Sequence, residues 1–151
     1  MRVNGMVARW RPPRAGFYKI NYSAVNEVGE RRVGIGIVIG NDSGIVMASC
    51  FQVIEANFDG QVAGTMAVFR GILFSQDYSL EPYVIESDKV RVVDRILNVN
   101  SLDTKCGTIL VEIADMMALH NGMDIKAIPK MANRLAQGLA NHPLKIMGDA
   151  I

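Results

Sequence analysis

Two periods of apolar residues divide this chain. From Phe17 to Val53 the apolar positions largely alternate, and from Val62 they recur every three or four residues. Phe17–Tyr22 reads as a first strand and Arg32–Ile39 as a second. Gly34 and Gly36 share one face of the second strand, which predicts close approach by another element. Ile45–Val53 reads as a third strand. Asn26–Gly29 and Asn41–Gly44 are the turn candidates, rich in residues that tolerate tight bends. Three strands in sequence with short turns imply an antiparallel meander. Ahead of them, Pro12 and Pro13 make Trp10–Gly16 an extended lead-in, because proline opposes helix.

The helical period begins with Val62, Met66, Phe69 and Leu73, which predict an amphipathic helix over Gln61–Gln76. Tyr83–Glu86 is short and apolar, a fourth strand. Lys89–Leu97 is helical, with Val90, Val93, Ile96 and Leu97 as its apolar face. A polar loop follows over Asn98–Lys105. Ile109, Ile113, Met116 and Met117 mark a third helix, with a stop signal at Asn121–Gly122. Met123–Ile128 alternates as a fifth strand, and Met131–Ala140 is a last helix. The order βββαβααβα implies an α/β fold. Its sheet is mixed and five-stranded, with three antiparallel strands first and helices flanking it.

The chain has 151 residues, enough for one domain over 1–151, with 1–9 and 146–151 expected as flexible ends. Hydrophobic residues at 50% against 21% charged exclude a disordered chain. A net charge of +1 gives no support for strong, non-specific nucleic-acid binding, so any such contact must come from a local patch. Cys50 and Cys106 share no metal-ligand spacing with each other or with His120 and His142. They are expected as two reduced thiols, with a single disulfide as the alternative. The N-terminus has arginines but no apolar signal region, and no apolar run reaches the roughly 18 residues of a membrane span. The expectation is a soluble intracellular protein of nucleus or cytoplasm.

Four blocks carry a resemblance: WRPPRAGFYKINYSA, GIGIVIGNDSG, IESDKVRVVDRI and PKMANRLAQGLA. In this order and spacing they resemble the ribonuclease H type 1 fold. The match is to the plant subgroup related to retrotransposon reverse-transcriptase polyproteins. The resemblance implies a domain that cleaves the RNA strand of an RNA–DNA hybrid, using four carboxylates and two Mg²⁺ ions. The first acid belongs to a motif like N-x-D-G-A, and here Asn21-Tyr22-Ser23-Ala24 puts Ser23 in its place. The second belongs to a motif like V-A-E, and Val62-Ala63-Gly64 puts Gly64 there. The third lies in E-S-D, where Asp88 matches. The fourth lies four residues after an asparagine, and from Asn133 that position is Gln137. Three of the four positions carry no carboxylate.

Each position also has a reading that involves no chemistry. Asp88 is either a remnant metal ligand or, with Ser87, an N-cap for the helix that follows. Ser23 is a weak oxygen donor or a neutral replacement, and Gln137 an amide donor or a solvated helix residue. Gly64 offers no side chain and costs helix stability. Glu86, two positions from Asp88 on a strand, is the nearest acid that could join it at a metal. Asp42 and Asp59 lie at element edges. His120 and His142 stand in no nucleophile motif, and Gly34-Ile35-Gly36 lacks the context of a dinucleotide fingerprint. Lys89, Arg91 and Arg95, with Arg31 and Arg32, are candidate phosphate contacts. Pairing with Asp94 or Glu27 explains them as well.

The leading expectation is a ribonuclease H-like pseudoenzyme acting as a nucleic-acid-binding or interaction module. The alternatives are a Mg²⁺-dependent endonuclease on RNA–DNA hybrids with an altered ligand set, and a protein–protein module. No cofactor is expected, and Mg²⁺ only with residual activity. The expected partners are an RNA–DNA hybrid or other nucleic acid, a protein or a second copy of the chain, and no membrane.

Overall fold

In a computed structural model, residues 2–3, 6–7, 9–27, 31–55, 60–98, 107–119 and 122–149 are described. The alternating segments form β1 (Tyr18–Glu27), β2 (Arg32–Gly40) and β3 (Val46–Glu55). Then come α1 (Gly60–Asp77), β4 (Tyr83–Ser87), α2 (Val90–Leu97), α3 (Gly107–Met117) and β5 (Asp124–Ala127). A 3₁₀ turn over Lys130–Asn133 leads into α4 (Arg134–Asp149). Arg2–Val3 and Met6–Val7 make a small antiparallel ladder apart from the main sheet.

The sheet runs β3-β2-β1-β4-β5. The β1–β2 and β2–β3 pairs are antiparallel, and the β1–β4 and β4–β5 pairs are parallel. This is the mixed sheet expected from the order of elements. β1 runs beyond Tyr22 because β2 offers it a backbone partner as far as Glu27 opposite Arg32. Asn26 and Glu27, expected in a turn, are therefore strand. The rest of that turn, most of the Asn98–Lys105 loop, Asp59, Cys106, His120 and Asn121 lie outside the described residues. His142 falls within α4, and its side chain is not described.

The strand alternation sorts the two faces of β1. Ile20, Tyr22 and Ala24 are buried with the core cluster that α1 joins. Lys19, Asn21 and Ser23 are buried on the opposite face, which α4 covers in part. Two glycines set how closely the helices lie. A Cβ on Gly71 of α1 would stand 3.3 Å from Ile20 Cγ2. A Cβ on Gly36 of β2 would run into the α4 backbone at Ala136 and Ala140, which is the close approach its position predicts.

Two helix faces differ from the expected ones. α1 buries Ala63, Ala67, Val68 and Ile72, with Gly64 and Gly71 between them. Val62, Met66 and Phe69 are only half-buried, and Leu73 is exposed. The small residues bring the helix close to the sheet, and the large ones sit at its flanks. α2 buries Val92, Val93 and Ile96, while Val90 and Leu97 are exposed. α4 begins three residues later than expected, because Pro129 leads into the 3₁₀ turn, closed by Ala132 N–H to Pro129 O at 3.0 Å. It then continues past Ala140 to Asp149. Among the described residues, no helix is long and apolar enough to cross a membrane.

Candidate functional site

The C-terminal end of β4 delivers Asp88 to the start of α4. Ser87 is the last residue of β4, and its Oγ accepts the Lys89 N–H at 2.9 Å. Lys89 is the N-cap residue of α2 and makes no side-chain cap. Asp88 therefore does not cap α2, and its carboxylate turns the other way. Asn133 Nδ2 donates to Asp88 Oδ1 at 3.1 Å, and Gln137 Nε2 donates to Oδ2 at 2.8 Å. Asn133 closes the 3₁₀ turn, and Gln137 lies one helical turn further along, so both amides face the same carboxylate. Gln137 is half-buried and bonded rather than solvated.

A chain of amides ties this contact to the interior of the sheet. Asn133 Nδ2 also donates to the Tyr22 carbonyl at 2.8 Å, and Asn133 Oδ1 accepts from Asn21 Nδ2 at 3.1 Å. Asn21 Nδ2 donates in turn to Glu86 Oε1 at 3.3 Å. Asn21 Oδ1 accepts the Trp10 indole N–H at 2.8 Å. The orientation of each amide follows from the ends of the chain, since ionised carboxylates only accept. Both asparagines thereby satisfy their polar atoms within a buried layer, as burial requires.

Glu86 is held by cations. Its Oε2 lies 3.0 Å from Lys19 Nζ and 3.5 Å from Lys126 Nζ. Lys19 also donates to the Arg11 carbonyl at 2.6 Å. Among the described residues, Asn21 and Asn133 link Glu86 to Asp88. The other matched positions are packed rather than open. Ser23 is buried in β1 opposite Gly36. Gly64 faces α2, where a Cβ would stand 2.7 Å from Val92 Cγ2. The Tyr22 hydroxyl is buried and makes no hydrogen bond. Burial pushes it far above the usual phenol range. Ser87 lowers it and the Asp88 charge raises it, both less than burial does.

The ribonuclease H-like architecture implies Mg²⁺ at these positions, and the donors present do not fit it. Mg²⁺ demands near-octahedral oxygen ligation and is usually held through carboxylates. Here the one carboxylate accepts amide N–H groups on both oxygens, and an amide nitrogen cannot ligate in its place. Lys19 neutralises the nearest second acid, Glu86. Among the described residues, no group of three or more His, Cys, Asp or Glu side chains is placed to hold a metal.

Of the candidate phosphate contacts, Arg91 is exposed on α2, with Lys89 and Arg95 half-buried beside it. Arg31 is exposed before β2. Asp42 accepts the Gly16 N–H at 2.8 Å. Cys50 is a free, half-buried thiol in β3, raised by burial. The Asn21–Asn133 chain and the Lys19–Glu86 pair were not singled out from sequence. Lys19 and Asn21 are the polar positions of the alternation in β1, a pattern that a solvent-facing side would also show, and Glu86 ends the apolar run of β4.

Sheet order and helix placement define a ribonuclease H-like fold. Residues 21–143 match the reverse transcriptase-like family, and the chain belongs to it. No curated protein matches the chain. It is similar to ribonuclease H1 of the halophilic archaeon Halobacterium salinarum NRC-1, at a TM-score of 0.77 and 17% identity over 86% of this chain and 98% of that one. The N-terminal RNase H domain of Rv2228c from Mycobacterium tuberculosis, solved as a fusion with maltose binding protein, is similar at 0.73 and 16%, covering 89% and 97%. LC11-RNase H1, solved in complex with an RNA/DNA hybrid, is similar at 0.71 and 18%, covering 83% and 94%. At these identities the likeness establishes the fold.

Proposed function

We propose that this chain is a ribonuclease H-like module that has given up two-metal hydrolysis and kept the fold for binding. The observation that carries this reading is the pair of amides, Asn133 and Gln137, on the Asp88 carboxylate. A donor pair occupies the oxygens that a metal would need. Val92 packed against Gly64 supports it, since that space is filled by a neighbouring helix. The four sequence blocks favour the plant, retrotransposon-related subgroup. The partner class is nucleic acid, with an RNA–DNA hybrid first, because LC11-RNase H1 of the same fold was solved with one. Arg91, exposed on α2, with Lys89 and Arg95 is the proposed phosphate-contact group.

The test is incubation of a labelled RNA–DNA hybrid with the folded protein, in Mg²⁺ and then in Mn²⁺, followed by gel and by anisotropy. The expected result is binding that weakens with salt, reduced by Arg91→Ala, and no cleavage. Cleavage by the parent that disappears in Asp88→Asn would establish the alternative, an endonuclease with an altered ligand set. Absence of binding to hybrid, duplex and single strands would remove the nucleic-acid part of the reading.

A further inference from the structure

The two edges of the sheet are unlike. β5 is four residues long and carries Asp124 and Lys126. Short length and charge are how natural sheets keep an edge from pairing with another chain. β3 has neither guard. It runs ten residues from Val46 to Glu55, and no charge or proline occurs before Glu55. Its one register irregularity falls between Val46 and Ala48, opposite Gly40 and Ile39, and the ladder is regular from Ala48 to Glu55. Among the described residues only β2 pairs with it, so its outer edge presents backbone donors and acceptors.

The surface around that edge is apolar. Ile45, Val46, Met47 and Phe51 are each about half exposed or more, at 47–58%. Val46 also forms the rim of a groove of about 340 Å³, lined by Trp10, Val38, Met131, Leu135 and Ala136. Leu135 across the groove is 59% exposed. An edge and a groove that share a residue make one continuous docking surface.

We propose that this surface pairs with the same surface of a second copy, β3 antiparallel to β3, making a ten-stranded sheet across a two-fold axis. A two-fold pairing sets the Glu55 end of one strand against the Ile45–Val46 end of the other. The strand's single charge then meets no like charge. A net charge of +1 adds almost no repulsion between copies. The regular stretch from Ala48 to Glu55 supplies about eight backbone hydrogen bonds, and the flanking apolar side chains are shielded from water. A C₂ arrangement of this kind is closed, so it stops at a dimer. The inference does not depend on the nucleic-acid reading.

The test is mass by light scattering on the full chain from about 1 µM to about 1 mM, the range that spans weak to moderate self-association. The parent is expected to move from one chain mass to two. Met47→Lys and, separately, the milder Ser49→Lys place a charge on the exposed face of the strand and should hold it at one mass. Circular dichroism melts confirm that each variant is folded. A parent that stays at one mass throughout overturns the proposal, and so does pairing of the edge with a different protein alone. A dimer that persists in both folded lysine variants also overturns it, by locating the interface elsewhere.

Discussion

A carboxylate that ligates a metal and one that ties two elements together respond in opposite ways to its removal. In a metal cluster, acids crowd one another and neutralising one relieves the apo protein. Asp88 instead accepts from Asn133 and Gln137, which joins the end of β4 to the start of α4. Asp88→Asn leaves those two donors without their charged acceptor. It should cost about 1.5–3 kcal/mol, the range for hydrogen bonds to a charged group. The check is a denaturant titration in EDTA. A variant as stable as the parent, or more so, would mean the carboxylate has no structural task. The resemblance put Asp88 and Gln137 at two positions of one site, but nothing in the sequence showed that the amide would bond the carboxylate. The contact spans 49 residues and depends on where the 3₁₀ turn ends, which no local pattern announces.

Among elements, the fit of α1 to α2 explains a glycine that helix propensity argues against. Gly64 gives α1 no side chain where Val92 of α2 approaches. Gly64→Ala should therefore destabilise by about 1–3 kcal/mol, despite alanine's better helix propensity. In a Val92→Ala background the same change should cost less or become favourable, which a double-mutant cycle on urea unfolding would measure. Additive effects would show that the two side chains do not meet. Strands and helices were largely legible in sequence because their periods are local. Helix faces were less so. The apolar spacing of α1 pointed to Val62, Met66, Phe69 and Leu73, yet Ala63, Ala67, Val68 and Ile72 are the buried ones, with Gly64 against α2 and Gly71 against the sheet. Hydrophobicity records what a helix avoids exposing. Size decides which side can come close, and the partner strands set that size.

At the scale of the whole molecule, burial of tyrosine couples the fold to alkaline pH. Tyr22 and Tyr83 are fully buried, and burial raises both well above the usual phenol range. Their neutral form is favoured in the folded state, while an unfolded tyrosine ionises near about pH 10. Between these limits the folded protein holds more protons than the unfolded one, so stability falls as pH rises through that range. Tyr22 and Tyr83 should ionise together with loss of the far-ultraviolet signal. Ionisation of Tyr22 and Tyr83 in a still-folded protein would contradict this packing.

The place where this fold implies metal is closed by amides. The side-chain NH₂ resonances of Asn133 and Gln137 report on it directly. Following them in a ¹⁵N-labelled sample during Mg²⁺ titration is the decisive measurement. Two pairs of signals are expected, displaced and slowly exchanging because of Asp88, that do not move as Mg²⁺ is added. Saturable shifts in both pairs, lost in Asp88→Asn, would show that the carboxylate releases its amides to take a metal, and the claim would fail.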